Sequence, residues 1–142
     1  MTPQDYKTHR RLVPGFHYVT LPLILLGLIG SGVNLARAEA SNHYSAALLM
    51  LVFLIAVLIS WYVRSFALKA QDRAIRAEEN FRHYVLTGKA LPSTLRMGQI
   101  IALRFASDAE FPALSQRAAN EQLKADDIKK AIVDWRGDHY RV

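Results

Sequence analysis

Cysteine is absent from the 142 residues of this chain. Disulfides, thiolate metal sites, covalently attached c-type haem and cysteine catalysis are therefore excluded. The chain also lacks a glycine-rich loop that would hold a phosphate, because Gly88 and Gly98 stand alone. Glu79 and His83 have the spacing of neighbours on one helix face, but two ligands are too few for a closed metal site. We therefore expect no catalytic residue, no metal site and no cofactor.

Charged residues are missing from two long apolar runs, which cover residues 16–36 and 45–63. A helix needs roughly 20 apolar residues to cross a hydrocarbon core about 30 Å thick, and both runs meet that length. The sequence therefore predicts an all-α fold. A two-helix transmembrane hairpin over residues 16–66 separates a cytosolic N-terminal segment (1–15) from a cytosolic helical region (67–142). The runs lack the mid-span charges that mark ion or proton routes, which argues against a transporter.

Positive charge is concentrated at the outer ends of the two runs and not in the connection between them. Lys7, Arg10 and Arg11 precede the first run, and Arg64, Lys69, Arg73 and Arg76 follow the second. The connection between the runs carries Arg37, which Glu39 balances. The positive-inside rule therefore predicts that both termini are cytoplasmic and that residues 37–44 lie outside. A cleaved signal peptide ending at Ala38 is the alternative, but the first run is longer than the apolar core of a usual signal peptide.

Small residues recur in both runs at a spacing that favours close helix packing. Gly27 with Ser31, and Ala56 with Ser60, form small-xxx-small pairs. We interpret this pattern as a packing face for a larger membrane partner, and the alternative is that the two runs pack only on each other. The candidate interface residues inside the apolar runs are Gly27, Gly30, Ser31, Asn34, Ala56 and Ser60.

Residues 64–87 are predicted to continue the second transmembrane helix into the cytosol. Apolar residues recur there at three- and four-residue steps, which is typical of one helix face. Glu78 and Arg82 have the spacing of a favourable i,i+4 ion pair, and Gly88 is a natural stop for the helix. The apolar stripe is mostly alanine and consists of Ala67, Ala70, Ala74, Ala77, Phe81 and Tyr84. Phe81 and Tyr84 are also candidate interface residues.

Three shorter helices are predicted after the glycine. The first starts at Ser93 as N-cap and runs to residue 106, and its apolar residues surround most of the helix, so we expect it to be buried. Residues 107–110 match a capping box, but Pro112 complicates it: either a single turn precedes Phe111, or the helix begins there with Pro112 at N1. The last helix is predicted over residues 125–135, where an i, i+3, i+4, i+7 stripe consists of Ile128, Ala131, Ile132 and Trp135.

Two features of this region stand out from ordinary helical charge patterns. Arg104 lies among large apolar residues, and we expect it either to pair with Glu110 or Asp108 or to face a partner. The tail that begins at residue 134 is rich in aromatic and charged residues, and we expect it either to dock on another protein or to fold back. The candidate interface residues of the region are Arg104, Trp135, Arg136 and Tyr140.

The second half of the chain resembles an uncharacterised bacterial family of small two-span membrane proteins. The resemblance covers residues 60–142. It rests on residues 68–73 (Leu-Lys-Ala-Gln-Asp-Arg), 103–108 (Leu-Arg-Phe-Ala-Ser-Asp) and 128–132 (Ile-Lys-Lys-Ala-Ile), followed by Trp135-Arg136 and Arg141-Val142. It implies two spans and a cytosolic helical tail, and it implies no activity. We accordingly expect the protein in the bacterial inner (cytoplasmic) membrane.

The expected function is that of a non-catalytic accessory, assembly or stabilising subunit of a larger bacterial inner-membrane complex. The expected partners are membrane lipid and a larger integral membrane protein complex, or a second copy of the chain. The alternative is a membrane-tethered regulatory protein whose helices over residues 111–135 bind a cytosolic partner or DNA as a helix-turn-helix. Asp126, Asp127 and Asp134 argue against DNA, since phosphate contacts need basic residues, and nucleic acid is not an expected partner.

Overall fold

The computed structural model describes residues 5–8 and 12–138. Within them the predicted all-α fold is confirmed, because every regular element is helical. The chain divides into two compact units. One consists of residues 12–68, and the other consists of residues 5–8 and 69–138. A π-helical segment, Gly15–Thr20, leads into the first of the α-helices, which are α1 (Leu21–Arg37), α2 (His43–Thr87), α3 (Met97–Leu103), α4 (Phe111–Asn120) and α5 (Ala125–Ala131).

The unit of residues 12–68 contains helical segments that are long and apolar enough to cross a membrane. The segment Gly15–Arg37 includes a window with a mean hydropathy of 1.9, and α2 includes a window with a mean hydropathy of 2.7. Only 6% of each window is buried. An apolar helix in the core of a water-soluble protein is instead largely covered by its neighbours. Both segments are therefore candidate membrane spans.

A glycine of α1 lies against an aromatic ring of α2. A Cβ atom added at Gly27 would overlap the ring of Phe53 in α2. Ser31, one turn further along α1, is buried, and its hydroxyl donates a hydrogen bond to the Leu28 carbonyl at 2.8 Å. Gly27 therefore lies in the contact between α1 and α2, in agreement with the alternative that the two apolar runs pack on each other.

Helix α2 continues without interruption for 45 residues and ends where the sequence predicts. Gly88 follows it with φ at +71°, in the left-handed region that glycine enters without steric cost. The Gly88 N–H donates to the Tyr84 carbonyl at 2.7 Å, which satisfies one of the last carbonyl groups of the helix. The predicted helix over residues 64–87 and its glycine stop are both confirmed.

Helices α3, α4 and α5 form a small bundle around one apolar core in the unit of residues 69–138. Leu103, Phe105 and Phe111 are fully buried there. The prediction that the first helix after the glycine is the buried one is confirmed. The core consists of Ile75 from α2 together with Leu95, Ile100, Ala102, Leu103, Phe105, Ala106, Phe111, Leu114, Ala118, Ala119, Ile128 and Ile132.

Helix α3 is shorter than predicted, because it begins at Met97 rather than after Ser93 and ends at Leu103 rather than at residue 106. Its start is fixed by Gln99, whose side-chain oxygen accepts a hydrogen bond from the Arg96 N–H at 2.7 Å. The Gln99 side chain is buried, and its amide group donates to backbone carbonyls in and just after α4. A contact with a distant segment thus overrides the local start signal.

Beyond α3 the chain pairs with the tail instead of continuing as a helix. The Arg136 N–H donates to the Phe105 carbonyl at 2.7 Å, and the Ser107 N–H donates to the Asp134 carbonyl at 3.1 Å. The two segments form an isolated antiparallel bridge, which requires extended backbone on both sides. Helix α3 therefore ends early, and the predicted last helix cannot include residue 135.

The capping box predicted over residues 107–110 is not formed. A single turn precedes Phe111, where α4 begins, and the Phe111 N–H donates to the Ser107 carbonyl at 2.9 Å. The Glu110 carboxylate caps another element, because it accepts hydrogen bonds from the N–H groups of Val133 and Asp134 at 3.1 and 2.6 Å. These bonds draw the backbone out of helical geometry directly after α5. Helix α5 consequently ends at Ala131, short of the predicted end at residue 135.

Candidate interaction site

A buried arginine joins α2 to the bundle. Arg82 Nη1 donates to Glu79 Oε2 at 3.0 Å, and the two side chains are only 11% and 8% exposed. Arg82 Nε donates to Asp108 Oδ1 at 2.7 Å, and Nη2 donates to the Ala106 carbonyl at 2.7 Å. These residues, together with Phe111, form what we call the Arg82 network. The network fixes α2 to the chain between α3 and α4.

Aromatic contacts complete the Arg82 network. The Arg82 guanidinium lies 4.3 Å from the centroid of the Phe111 ring, a cation–π contact. His83 packs edge-on against the same ring with 5.8 Å between centroids, and its Nδ1 lies 2.8 Å from the Lys89 carbonyl. Glu79 and His83, the two residues with metal-ligand spacing, are thus each engaged by other groups of the fold.

Arg104 is buried and pairs with a carboxylate, as one of the two expectations has it, but the partner is Asp138 rather than Glu110 or Asp108. Arg104 Nε lies 3.2 Å from Asp138 Oδ2, and its guanidinium lies 4.7 Å from the centroid of the Phe105 ring. Burial lowers the pKa of Arg104, and the Asp138 carboxylate opposes that shift. Glu110 and Asp108 bind the tail backbone and Arg82 instead, which leaves the more distant carboxylate for Arg104.

The described part of the tail folds back on the bundle. The half-buried Trp135 ring lies 5.2 Å from the Phe105 ring between centroids. The Arg136 side chain is about half exposed, and its guanidinium lies 4.0 Å from Glu79 in an ion pair. The fold-back alternative therefore holds for the tail as far as Asp138. Tyr140, also a candidate interface residue, lies outside the described residues.

The bundle covers one face of α2 and leaves the predicted alanine and aromatic stripe exposed. Ile75, Glu79 and His83 are buried, and the 3.6-residue helical repeat places them on the side opposite the stripe. Phe81 and Tyr84 are 69% and 58% exposed. In the unit of residues 69–138, the stripe consists of Ala70, Ala74, Ala77, Phe81 and Tyr84, all of them exposed, and we call it the exposed α2 face.

A groove of about 510 Å³ borders the exposed α2 face. Arg73, Arg76 and Asn80 line it from α2, and the segment from Leu91 to Leu95 lines it from the other side. Asn80 Oδ1 accepts a hydrogen bond from the Leu91 N–H at 2.9 Å, which holds that segment beside the helix. The rim is positive and includes no acidic side chain, so it is unsuited to a metal cation. Among the described residues, no cluster of three or more His, Asp or Glu could hold a metal ion.

The N-terminal segment contacts α5. Tyr6 Oη donates to Asp126 Oδ1 at 2.7 Å, and Lys130 Nζ lies 2.6 Å from Asp126 Oδ2. Hydrogen bonds from Lys130 and Tyr6 lower the pKa of Asp126. Helix α5 has only seven residues, and two of its exposed charges, Asp126 and Lys130, are engaged in this contact. The longer helix that we considered as a DNA-reading helix is not formed.

The remaining candidate interface residues lie in the unit of residues 12–68. Ala56 and Ser60 are half-buried, and the Ser60 hydroxyl donates to the Ala56 carbonyl at 2.8 Å. Gly30 and Asn34 are exposed, and a Cβ atom added at Gly30 would meet nothing within 4 Å. A role for Gly30 and Asn34 in binding a partner stays a prediction.

Sequence reasoning missed the Arg82 network. It paired Arg82 with Glu78, whereas the structure pairs it with Glu79, one turn away at i,i+3. Both spacings bring side chains together on a helix, so local spacing alone does not choose between them. The available signal was that Glu79, Arg82 and His83 share a helix face with Ile75, a face that proves to be the buried one.

The model of a family of unknown function, DUF6526, matches residues 1–142, and the chain belongs to this family. The match covers the whole chain, beyond the residues 60–142 on which the resemblance in the sequence rests. It carries no assigned activity. No curated protein and no solved structure matches the chain.

Proposed function

We propose that this member of a family of unknown function is a non-catalytic accessory or assembly subunit of a larger bacterial inner-membrane complex. The observation that carries the proposal is the exposed α2 face. Phe81 and Tyr84 are 69% and 58% exposed outside the apolar runs, and Val85 beside them is 65% exposed. Contiguous exposed aromatic and aliphatic side chains are typical of protein interaction surfaces.

In this proposal the two candidate spans form a hairpin with both termini in the cytoplasm. The basic residues that flank the apolar runs support this orientation. The hydrogen bond from Tyr6 to Asp126 supports it too, since it joins the N-terminal segment to the unit that contains the bundle. Two spans bring the chain back to the side of the membrane on which it began, so residues before the first span and after the second can contact each other.

The ion pairs of the unit support a structural rather than a catalytic role. Glu79 and Arg104 are the charged residues with the lowest exposure among those described there. Their ion pairs with Arg136 and Asp138 hold the tail to the rest of the fold. Catalytic groups are instead found at open sites, with a reacting atom within reach. The bundle then acts as a rigid body that presents the exposed α2 face to a partner.

The proposal is tested by purifying the tagged protein from its native membranes in mild detergent and identifying what co-purifies by mass spectrometry. We expect other integral membrane proteins to co-purify with the wild type and to be lost with Phe81→Asp. Arg76→Asp is the matched control, because Arg76 is exposed on α2 but outside the exposed α2 face. Wild-type protein that purifies without any other integral membrane protein would overturn the proposal.

A further inference from the structure

We propose that the exposed α2 face pairs with the same face of a second copy of this chain, as a parallel two-stranded coiled coil. The inference rests on the membrane orientation in the proposed function. Two copies that cross one membrane with the same orientation send α2 into the cytoplasm in the same direction, so their helices meet in parallel. The second copy then covers the exposed α2 face, and the larger complex binds the pair rather than the single chain.

The spacing along the exposed α2 face is that of a coiled coil. Its members follow one another at steps of four, three, four and three residues, which are alternating a and d positions of a heptad. The alanines allow two helix backbones to approach closely. Phe81 and Tyr84 add large apolar surfaces at one end of the face. The bundle packs on the opposite side of α2, and residues 91–95 border the face along one edge only, beside Ala77 and Asn80.

The charges that flank the face favour a parallel pair of identical helices. Arg73 occupies a g position, and Glu78 occupies the e position of the next heptad. In a parallel coiled coil, a g residue faces the e residue five positions further along the other helix. Arg73 of each copy therefore faces Glu78 of the other. In an antiparallel pair g faces g and e faces e, so this complementarity would be lost.

Both flanking side chains are available for such a contact. Arg73 and Glu78 are exposed, and neither is part of an ion pair within residues 5–8 and 12–138. The face thus carries both the apolar seam and its own complementary charges, as a two-fold interface between identical chains requires. A short alanine-rich seam pairs weakly in free solution, and anchoring in one membrane raises the effective concentration that it needs.

Cysteine cross-linking in membranes tests the pairing directly, because the natural chain has no cysteine. In a parallel pair each position of the seam meets itself, so we expect oxidation to give a disulfide dimer with Ala70→Cys, with Ala74→Cys and with Ala77→Cys. Arg76→Cys is the matched control, since it lies next to Ala77 but points away from the seam. We expect no dimer from that variant.

Charge exchange tests the predicted orientation in the background of Ala77→Cys. Arg73→Glu alone and Glu78→Arg alone each place like charges opposite each other twice, and we expect each to lose the dimer. Co-expression of the two variants with different tags restores both opposite-charge contacts, but only in the mixed dimer. We therefore expect the mixed dimer to reappear. Because both positions are exposed, these substitutions leave the core of the bundle intact.

The outcomes separate this inference from the proposed function. The absence of cross-links at all three alanine positions would overturn the pairing, and a co-purifying membrane complex would then leave the proposed function standing. Cross-links that ignore the charge exchange would overturn the parallel Arg73–Glu78 arrangement. Cross-links that follow it, in a protein that co-purifies only with itself, would support the pairing and overturn the accessory role.

Discussion

Replacing Arg82 with alanine is expected to weaken the attachment of the bundle to α2 strongly. The substitution removes the donors to Glu79, to Asp108 and to the Ala106 carbonyl, and it removes the cation–π contact with Phe111. Within the described residues, the Arg136 guanidinium, 4.0 Å away, would be the ion-pair partner left to Glu79. The variant therefore leaves a buried carboxylate poorly compensated.

The size of the effect follows from the exposure of the partners. The Glu79 side chain is 8% exposed, and removing one member of a buried ion pair costs about 3–5 kcal/mol. The Asp108 side chain is 67% exposed, so its ion pair with Arg82 adds at most about 1 kcal/mol. At about 0.05–0.15 kcal/mol per residue, the unit of residues 69–138 is stabilised by about 4–10 kcal/mol, so the loss is a large part of the total.

Tryptophan fluorescence during urea unfolding in detergent measures this loss. The chain has two tryptophans, and Trp61→Phe leaves Trp135 as a reporter that packs on Phe105 beside the Arg82 network. We expect Arg82→Ala to lower the midpoint strongly, or to unfold the bundle without urea. For a unit of this size, a loss of 3 kcal/mol corresponds to a fall in melting temperature of about 12 °C or more.

Two further variants decide whether the reasoning holds. Arg76→Ala removes an exposed arginine from the same helix, and we expect a change of no more than about 0.5 kcal/mol. Glu79→Gln combined with Arg82→Met removes both charges of the pair, and we expect it to be more stable than Arg82→Ala alone, because no buried carboxylate is left without its partner. If Arg82→Ala and Arg76→Ala unfold at the same urea concentration, the Arg82 network does not stabilise the bundle.

Three other substitutions test separate parts of the fold. Gly27→Val should cost about 1–3 kcal/mol of packing between α1 and α2, because its side chain meets the Phe53 ring. Gly30→Val should leave that packing unchanged, because nothing lies within 4 Å of an added Cβ. The yield of cross-links between α1 and α2 in detergent compares the two variants. Gly88→Ala should cost about 1–2 kcal/mol, because its φ of +71° strains an L-residue, and urea unfolding measures it. Glu110→Ala should cost about 1–3 kcal/mol, because two charge-assisted hydrogen bonds are lost. The amide hydrogens of Val133 and Asp134 should then exchange faster, which hydrogen-exchange measurements would show.

The parts of the fold that could be predicted from the sequence depend on local physics. The length of the apolar runs, the helical repeat through residues 64–87 and the stop at Gly88 each follow from neighbouring residues alone. The burial of α3 follows from its apolar residues, which leave no polar face for solvent. Each of these predictions needs no knowledge of which distant segment lies nearby.

The parts that could not be predicted depend on contacts between distant residues. Helices α3 and α5 end early because the backbone after each pairs with, or is capped by, residues more than twenty positions away. Arg104 pairs with Asp138 for the same reason, since the nearer carboxylates are already engaged. The choice of Glu79 over Glu78 is made by the bundle, which covers one face of α2 and buries whatever charges lie there.

In the proposed function, α2 packs on the bundle with one face and binds a partner with the other. An amphipathic helix in an isolated protein covers its apolar face with the rest of the fold, whereas here the bundle binds α2 over a face that carries Glu79 and Arg82 and leaves Phe81 and Tyr84 in solvent. Buried charged contacts need defined geometry, so they hold the bundle in one position but add little net stability. In the proposed function this apolar surface binds a partner, and burial of the two aromatic side chains would favour that association. Substitutions in the Arg82 network should therefore change unfolding, while substitutions on the exposed α2 face should change assembly and leave the unfolding midpoint unaltered.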